Sequence, residues 1–267
     1  MTYHQLVEQI QTKKSCLCIG LDTDLDKIPP HLLQYNNPIL EFNKAIIDAT
    51  HDLCVAYKPN IAFYESYGAK GWQALATTAQ YIPNNLFKIA DAKRGDIGNT
   101  AQQYAKAFFE TMNFDAITLS PYMGLDTIAP FLAYKNKWVI VLALTSNNGA
   151  KDFQFVEENG IPLYQTVIQK SLAIGTKENT MFVVGATKED YFKTIRKICP
   201  DNFLLVPGIG AQGGDLQAVI ANGKTKDVGL LINATRSIIY ASNGKDFAEK
   251  AREAALQLKN EMEVLLF

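Results

Sequence analysis

Little in this sequence could hold a metal ion or a disulfide framework. It has four cysteines, Cys16, Cys18, Cys54 and Cys199, and no two of them form a C-x-x-C pair. Three sit inside apolar runs, so the set is expected to be reduced core residues. The three histidines, His4, His31 and His51, are scattered near the start, which argues against a zinc site and a histidine-based triad. An excess of one charge is also missing. With 26 Lys and Arg against 27 Asp and Glu, the formal net charge is −1, and no global field favours nucleic acid or an anionic membrane. Any anionic ligand must be caught by local chemistry. No apolar run reaches the roughly 18 residues that a membrane span needs. The opening stretch MTYHQLVEQIQTKKS is polar and helix-patterned, unlike a secretory leader. A soluble, cytoplasmic protein is expected, with neither nucleic acid nor membrane as partner.

What the sequence does have is a repeated alternation. Eight short runs rich in Val, Ile, Leu and Phe occur at 16–21, 53–58, 86–91, 116–120, 138–144, 181–186, 203–208 and 229–234. They are too short for free-standing helices and suit buried parallel strands. Helical periodicity fills stretches between them, as at 38–51, 64–80, 99–112, 162–175, 188–198 and the charged tail 245–263. Ile97, Ala101, Tyr104, Ala105 and Phe108, for example, fall on one face of a helix. Strand then helix, eight times over, predicts a closed (β/α)₈ TIM barrel with its helices outside, and an open doubly wound sheet is the alternative. Such barrels take about 250 residues. No linker or composition shift cuts the chain, so residues 1–267 are expected to form one domain.

Active sites of these barrels lie at the C-terminal ends of the strands. The residues that follow the eight runs are Asp22, Lys58, Asp91 with Lys93, Ser120, Ser146, Ala186, Gly208 to Gly210, and Thr235 with Arg236. Polar and charged groups crowd this set. The densest stretch is Asp91-Ala92-Lys93-Arg94-Gly95-Asp96-Ile97, where the third strand is expected to end at Ala90. Asp91 and Lys93 are two apart and point to one side in extended geometry. Asp96 comes near a helix start, where a carboxylate is favourable. By itself the stretch also fits a helix N-cap and a solvated turn. Lys58 tips the balance, because it too ends an apolar strand. Two lysines and two aspartates at neighbouring strand ends form an alternating network whose desolvation cost stability alone does not justify.

Taken together these pieces resemble the orotidine 5′-phosphate decarboxylase family, in order and across nearly the whole chain. They are Leu21-Asp22, Lys58-Pro59-Asn60, D-x-K-x-x-D-I at 91–97, Ser146-Asn147-Asn148-Gly149-Ala150, PGIGAQGG at 207–214 and Ala234-Thr235-Arg236-Ser237. The KPN, SPYMG and NATRS wording is similar to the longer bacterial branch. The resemblance implies decarboxylation of orotidine 5′-monophosphate (OMP) to UMP and CO₂, the last step of de novo pyrimidine nucleotide synthesis, without a cofactor or a metal. It implies Lys58, Asp91, Lys93 and Asp96 as a catalytic tetrad, with Lys93 the proton donor. It implies Asp22 at a ribose hydroxyl and Ser146 at the pyrimidine edge. Pro207, Gln212, Thr235 and Arg236 would form the phosphate grip, with Gln212 and Arg236 on the phosphate itself. Asp96, with Thr100 accompanying it to the ribose, would reach into a partner's site in a homodimer.

The chemistry wants such residues. Loss of CO₂ from C6 of the pyrimidine leaves charge on a carbon with no easy electron sink, and other decarboxylases borrow a sink from a cofactor. Here fixed charge is on offer: an ammonium stabilises the developing carbanion and then protonates it. Glycines after the seventh run let backbone N–H groups approach a phosphate, and Arg236 adds a forked donor. Gly208, Gly210 and Gly213 also fit the dinucleotide fingerprint G-x-G-x-x-G. That motif needs an early βαβ unit and an acidic residue ending the next strand. Neither is present. Ser146 and Asp22 also fit plain turn residues, and Trp72 and Trp138 suit packing. Two rivals stand beside this reading: a Mg²⁺-dependent sugar-phosphate decarboxylase or lyase of the same barrel group, and a catalytically inactive nucleotide-binding barrel. The first would need a metal ligand where Lys58 stands. Segments 23–37 and 147–161 have no assigned role.

Overall fold

The computed structural model describes residues 1–209 and 214–267. Eight parallel strands close into a barrel in chain order. They are β1 (Leu17–Gly20), β2 (Ala56–Lys58), β3 (Phe87–Arg94), β4 (Ala116–Leu119), β5 (Trp138–Leu144), β6 (Thr180–Val184), β7 (Leu204–Pro207) and β8 (Leu230–Ala234). Closure is made by β1, which pairs with β2 through Cys18 and Ala56 and with β8 through Leu17 and Ile232. Each apolar run of the sequence holds one barrel strand. Their continuous hydrophobicity reflects burial on both faces, one toward the barrel axis and one beneath the helices. All four cysteines are buried and unpaired.

The floor of the barrel is covered by α1 (Tyr3–Lys13), whose start carries a reciprocal capping box between Thr2 and Gln5. Tyr3 stacks on Trp138 and meets Phe203 edge-on, and its hydroxyl donates to Asp227 at 3.0 Å. All three partners stand at strand entrances, so the opposite end of the barrel is left as the mouth.

The outer helices, beginning with α2 (Pro38–Thr50), follow the periodicity, with three differences. The stretch 64–80 is broken into α3 (Ala62–Glu65) and α4 (Gly68–Tyr81). Gly68 turns the chain at φ 57°, and Gly71 lets α4 cross the carbonyl of Tyr64. In α5 (Gly98–Ala105) Ala101 and Ala105 face the core, and the helix runs on as a π-helical turn, Lys106–Thr111, that buries Phe108. Ile97 does not join that face. It is the N-cap residue and 53% exposed, because the chain is still leaving β3 there. The segment 147–161 forms a short helix, Ala150–Phe153, and then a ribbon in which Glu157–Glu158 pairs antiparallel with Ile161–Pro162. The segment 23–37 contains a 3₁₀ turn, Pro30–Gln34. Trp138 is buried as expected of packing, whereas Trp72 is 36% exposed and leans on Phe108.

The main revision concerns β3. It does not end at Ala90 but continues to Arg94, with a register shift against β4 between Ala90 and Arg94. The charged stretch hides the strand because Asp91, Lys93 and Arg94 break the apolar run while the backbone stays paired.

A methyl group at Gly71 would stand 1.8 Å from the carbonyl oxygen of Tyr64. Gly71→Ala is therefore expected to cost about 1–3 kcal/mol through forced separation of α3 and α4. In a thermal melt this appears as a fall of about 2–4 °C per kcal/mol for a chain of this size. An unchanged melting temperature would refute the close approach.

Candidate active site

Lys58 is the last residue of β2 and is 4% exposed. Its ammonium donates to Asp91 Oδ2 at 2.7 Å. The Asp91 backbone is pinned to the Lys58-Pro59-Asn60 segment: its N–H donates to the Pro59 carbonyl at 3.1 Å, and its own carbonyl accepts from Ile61 N at 3.2 Å. The other carboxylate oxygen, Oδ1, accepts from Lys93 Nζ at 2.7 Å and from the Thr118 hydroxyl at 3.0 Å. Asp91 thus joins two ammonium groups, one buried and one 49% exposed. Burial pushes the Asp91 carboxyl up, but the two lysines outweigh it and hold the group well below the usual carboxylate range. Burial alone would lower Lys58, yet Asp91 and then Asp22 keep it above the ordinary lysine value. Both shifts favour the charged forms of Asp91 and Lys58.

Asp22 leaves β1 beside this pair. Burial raises its carboxyl above the ordinary value, Lys58 opposes the rise and Asp91 adds to it. Its Oδ1 is enclosed and has no partner among the described residues. The loop around it is held by tyrosine hydroxyls. Tyr64 donates to the Leu21 carbonyl at 2.9 Å, and Tyr240 donates to the Asp22 carbonyl and accepts from Asp24 N, both at 2.8 Å. Below them, buried Asn43 accepts from Thr23 and donates to Tyr64 and Thr78. A carboxylate oxygen short of partners is therefore held on a loop whose backbone is tied at several points.

Across the mouth, Pro207 ends β7, and Gly208 follows at φ 102°. Gly214 N donates back to the Gly208 carbonyl at 3.2 Å, which closes the base of the glycine-rich loop. Gln212 lies outside the described residues. Thr235 caps the short helix Arg236–Ile239 and accepts a bond from Asn233 at 3.4 Å. The Arg236 side chain makes no hydrogen bond or ion pair with any described residue.

These groups line one cavity of about 380 Å³. Of the residues picked from sequence it takes Asp22, Lys58, Asp91, Pro207, Thr235 and Arg236, with Lys93 bonded to its edge through Asp91. Lys27, Phe63, Gly208, Ile209, Asn233 and Tyr240 complete the wall. A larger groove of about 1140 Å³ runs between the helix Leu216–Gly223 and the helix Phe247–Leu266, and the lysine–aspartate network is not part of it. The smaller cavity carries the charge and is the better candidate.

Three expected site residues stand apart within the single chain. Ser146 is half-buried just beyond β5, against Gly185, and does not line the cavity. Thr100 is exposed on α5. Asp96 accepts a bond from the neighbouring Ile97 N at 2.8 Å and also lies off the cavity wall. It is not a helix cap, since Ile97 holds that position and no side chain caps it. Conversely, Thr118 and Tyr240 escape a reading of strand ends. Thr118 does share the strand face of Ser120, so the alternation of β4 carried a signal for it. Tyr240 had none, being one aromatic in the turn that follows the short helix Arg236–Ile239.

Among the described residues no group of three or more His, Cys, Asp or Glu is placed to hold a metal ion. None of their helices is long and apolar enough to cross a membrane.

Residues 15–251 match the family model described as Orotidine 5′-phosphate decarboxylase / HUMPS family. The chain is 62% identical over 265 residues to the orotidine 5′-phosphate decarboxylase of Flavobacterium johnsoniae, covering 98% of this chain and 97% of that one. It is 58% identical over 265 residues to that of Christiangramia forsetii, with the same coverage. Among solved structures it is similar to the OMP decarboxylase of Leishmania donovani, with a TM-score of 0.84 at 35% identity over 99% of this chain and 98% of the other. The match runs nearly end to end through strands, charged turn and mouth alike, and the chain belongs to the orotidine 5′-phosphate decarboxylase / HUMPS family.

Proposed function

We propose that this protein removes CO₂ from OMP to give UMP, and that it needs neither cofactor nor metal to do so. The observation that carries the reading is the Asp91 carboxylate, which accepts from Lys58 and Lys93 at 2.7 Å each at the floor of a cavity walled by Asp22 and Arg236. Arg236 and the glycine-rich loop, with Gln212, take the phosphate, and Pro207 and Thr235 shape that grip. Asp22 takes a ribose hydroxyl and Ser146 the pyrimidine edge. Binding energy from these unreactive parts brings the C6 carboxylate against Asp91. As the C6–CO₂ bond breaks, its electron pair stays on C6 beside the Lys93 ammonium, which stabilises the charge and then protonates the carbon. The neutral amine left behind recovers its proton from water, which the half-exposed side chain can reach. Lys58 fixes Asp91 in its ionised state. Both Asp91 oxygens are occupied by ammonium groups, which disfavours the magnesium-dependent alternative.

The active form is proposed to be a homodimer of single-domain chains, cytoplasmic in location. Asp96 and Thr100 then act in the partner's cavity, since neither lines its own. The loop that carries Asp96 lies against the one after β4, where Tyr122 is 87% and Met123 51% exposed. Large apolar groups exposed together suit a covered face.

Three experiments test this. Purified protein incubated with OMP in EDTA is expected to show the ultraviolet change from orotate to uracil, and Lys93→Ala to abolish it. A folded wild-type protein without turnover would overturn the assignment. Equal mixing of Lys93→Ala and Asp96→Ala chains by unfolding and refolding should restore roughly a quarter of wild-type activity, because half the dimers then hold one intact site. Recovery of none would place Asp96 in its own chain's site, and full activity of Asp96→Ala alone would place it outside catalysis.

The third concerns Asp22. Its folded-state carboxyl is raised, so the stability it contributes is present below the unfolded value and is lost as pH rises through the folded one. Above that range the buried carboxylate costs stability. Asp22→Asn is expected to raise the melting temperature at pH 7, with the gain shrinking at acid pH. It should also weaken UMP binding on the order of 10-fold, about 1.4 kcal/mol. A lower melting temperature in the variant would contradict the sign.

A further inference from the structure

Thr118 stands where two parts of the charge network meet. It lies in β4, is 1% exposed and does not itself line the cavity, standing behind Asp91, which does. In the β3–β4 ladder Ala90 pairs with Ile117 and Arg94 with Leu119. Three residues of β3, Asp91 to Lys93, therefore stand opposite Thr118 alone. A bulge of this kind redirects side chains and leaves backbone groups without their ladder partners. Lys93 is held there at φ 48°, a left-handed conformation that costs a non-glycine residue roughly 1–2 kcal/mol and persists only where its surroundings impose it.

The Thr118 hydroxyl supplies that hold. It accepts from Lys93 N at 2.9 Å and donates to Asp91 Oδ1 at 3.0 Å. A hydroxyl has one proton, so accepting from the backbone N–H leaves that proton for the carboxylate. One side chain thus satisfies the stranded amide of Lys93 and fixes the rotation of the carboxylate to which the Lys93 ammonium bonds. We infer that Thr118 is a positioning residue for the reaction: it holds the bulge that aims Lys93 and Asp91 at the same point. Its kinetic consequence rests on the decarboxylase reading, but its structural part does not.

Thr118→Val keeps the shape and the strand preference and removes only the hydroxyl. Expected is a folded protein whose kcat on OMP falls on the order of 10- to 100-fold, as for a sub-ångström misplacement of a reacting group, with KM nearly unchanged. Thr118→Ser should restore most of the rate. A general packing role would penalise Ser, which loses the methyl, more than Val. Amide hydrogen exchange at Lys93 gives a readout that needs no substrate: protection in the wild type and in Thr118→Ser, and its loss in Thr118→Val. Wild-type kcat in Thr118→Val, or equal Lys93 protection in all three proteins, would overturn the inference. Should the wild type fail to turn over OMP, the functional reading falls, and the exchange comparison still decides whether Thr118 holds the bulge.

Discussion

Two ammonium groups share one carboxylate at the centre of this molecule, and much of the surrounding structure serves that arrangement. Removing an ion from water costs several kcal/mol even after relaxation, and a buried pair recovers this only with good geometry and further hydrogen bonds. Asp91 meets those terms. It has Lys58 on one oxygen, Lys93 and Thr118 on the other, and its backbone is tied on both sides to the segment after β2. Hydrophobic residues of equal volume would fold the barrel at least as well. The network makes sense as charge arranged before the substrate arrives, so that no reorganisation is needed when charge develops on the ligand.

Asp22 shows the same economy in reverse. Nothing described satisfies its Oδ1, and burial makes its ionisation unfavourable. Three tyrosines hold the loop that bears it: Tyr67 accepts from Leu25 N at 3.3 Å, beside Tyr64 and Tyr240, which donate to the Leu21 and Asp22 carbonyls. Phenol hydroxyls suit this task, since each projects from a rigid ring and can reach a backbone group without bringing a charge into the mouth. Rigid support for a group with an unmet bond is what a binding site requires and what a stable core avoids.

Much of this was legible in the chain. Parallel strands buried on both faces write themselves as short apolar runs, and all eight appear. Lys58, Asp91, Asp22 and Arg236 are visible because a charge at the end of such a run has no reason of stability to be there. Other features were hidden, each for a physical reason. The end of β3 looks like a polar turn because its charged side chains are held by partners elsewhere in the fold, Asp91 by Lys58 and Arg94 by Glu65. The break before α4 depends on a carbonyl that crosses Gly71, a tertiary contact with no local signature. Thr118 and Tyr240 resemble ordinary strand and turn residues until their hydroxyl partners are known. Asp96 and Thr100 lie off the cavity of their own chain, and a single chain gives them no ligand to touch. Gln212 falls in the one stretch outside the described residues.

The barrel seam joins the first strand to the last. Gly20 has no side chain because Thr235 occupies that space, and the bond from Tyr240 to the Asp22 carbonyl spans 218 positions of sequence. The cavity therefore takes one wall from the start of the barrel and another from its end. A chain emerging from the ribosome has Asp22, Lys58, Asp91 and Lys93 in hand long before it has Arg236. No partial barrel can present the whole cavity, so a ligand that fills it stabilises the closed form alone. Synthesis must run past the last strand before nucleotide can assist folding, and until then the buried charges must be carried by the chain itself.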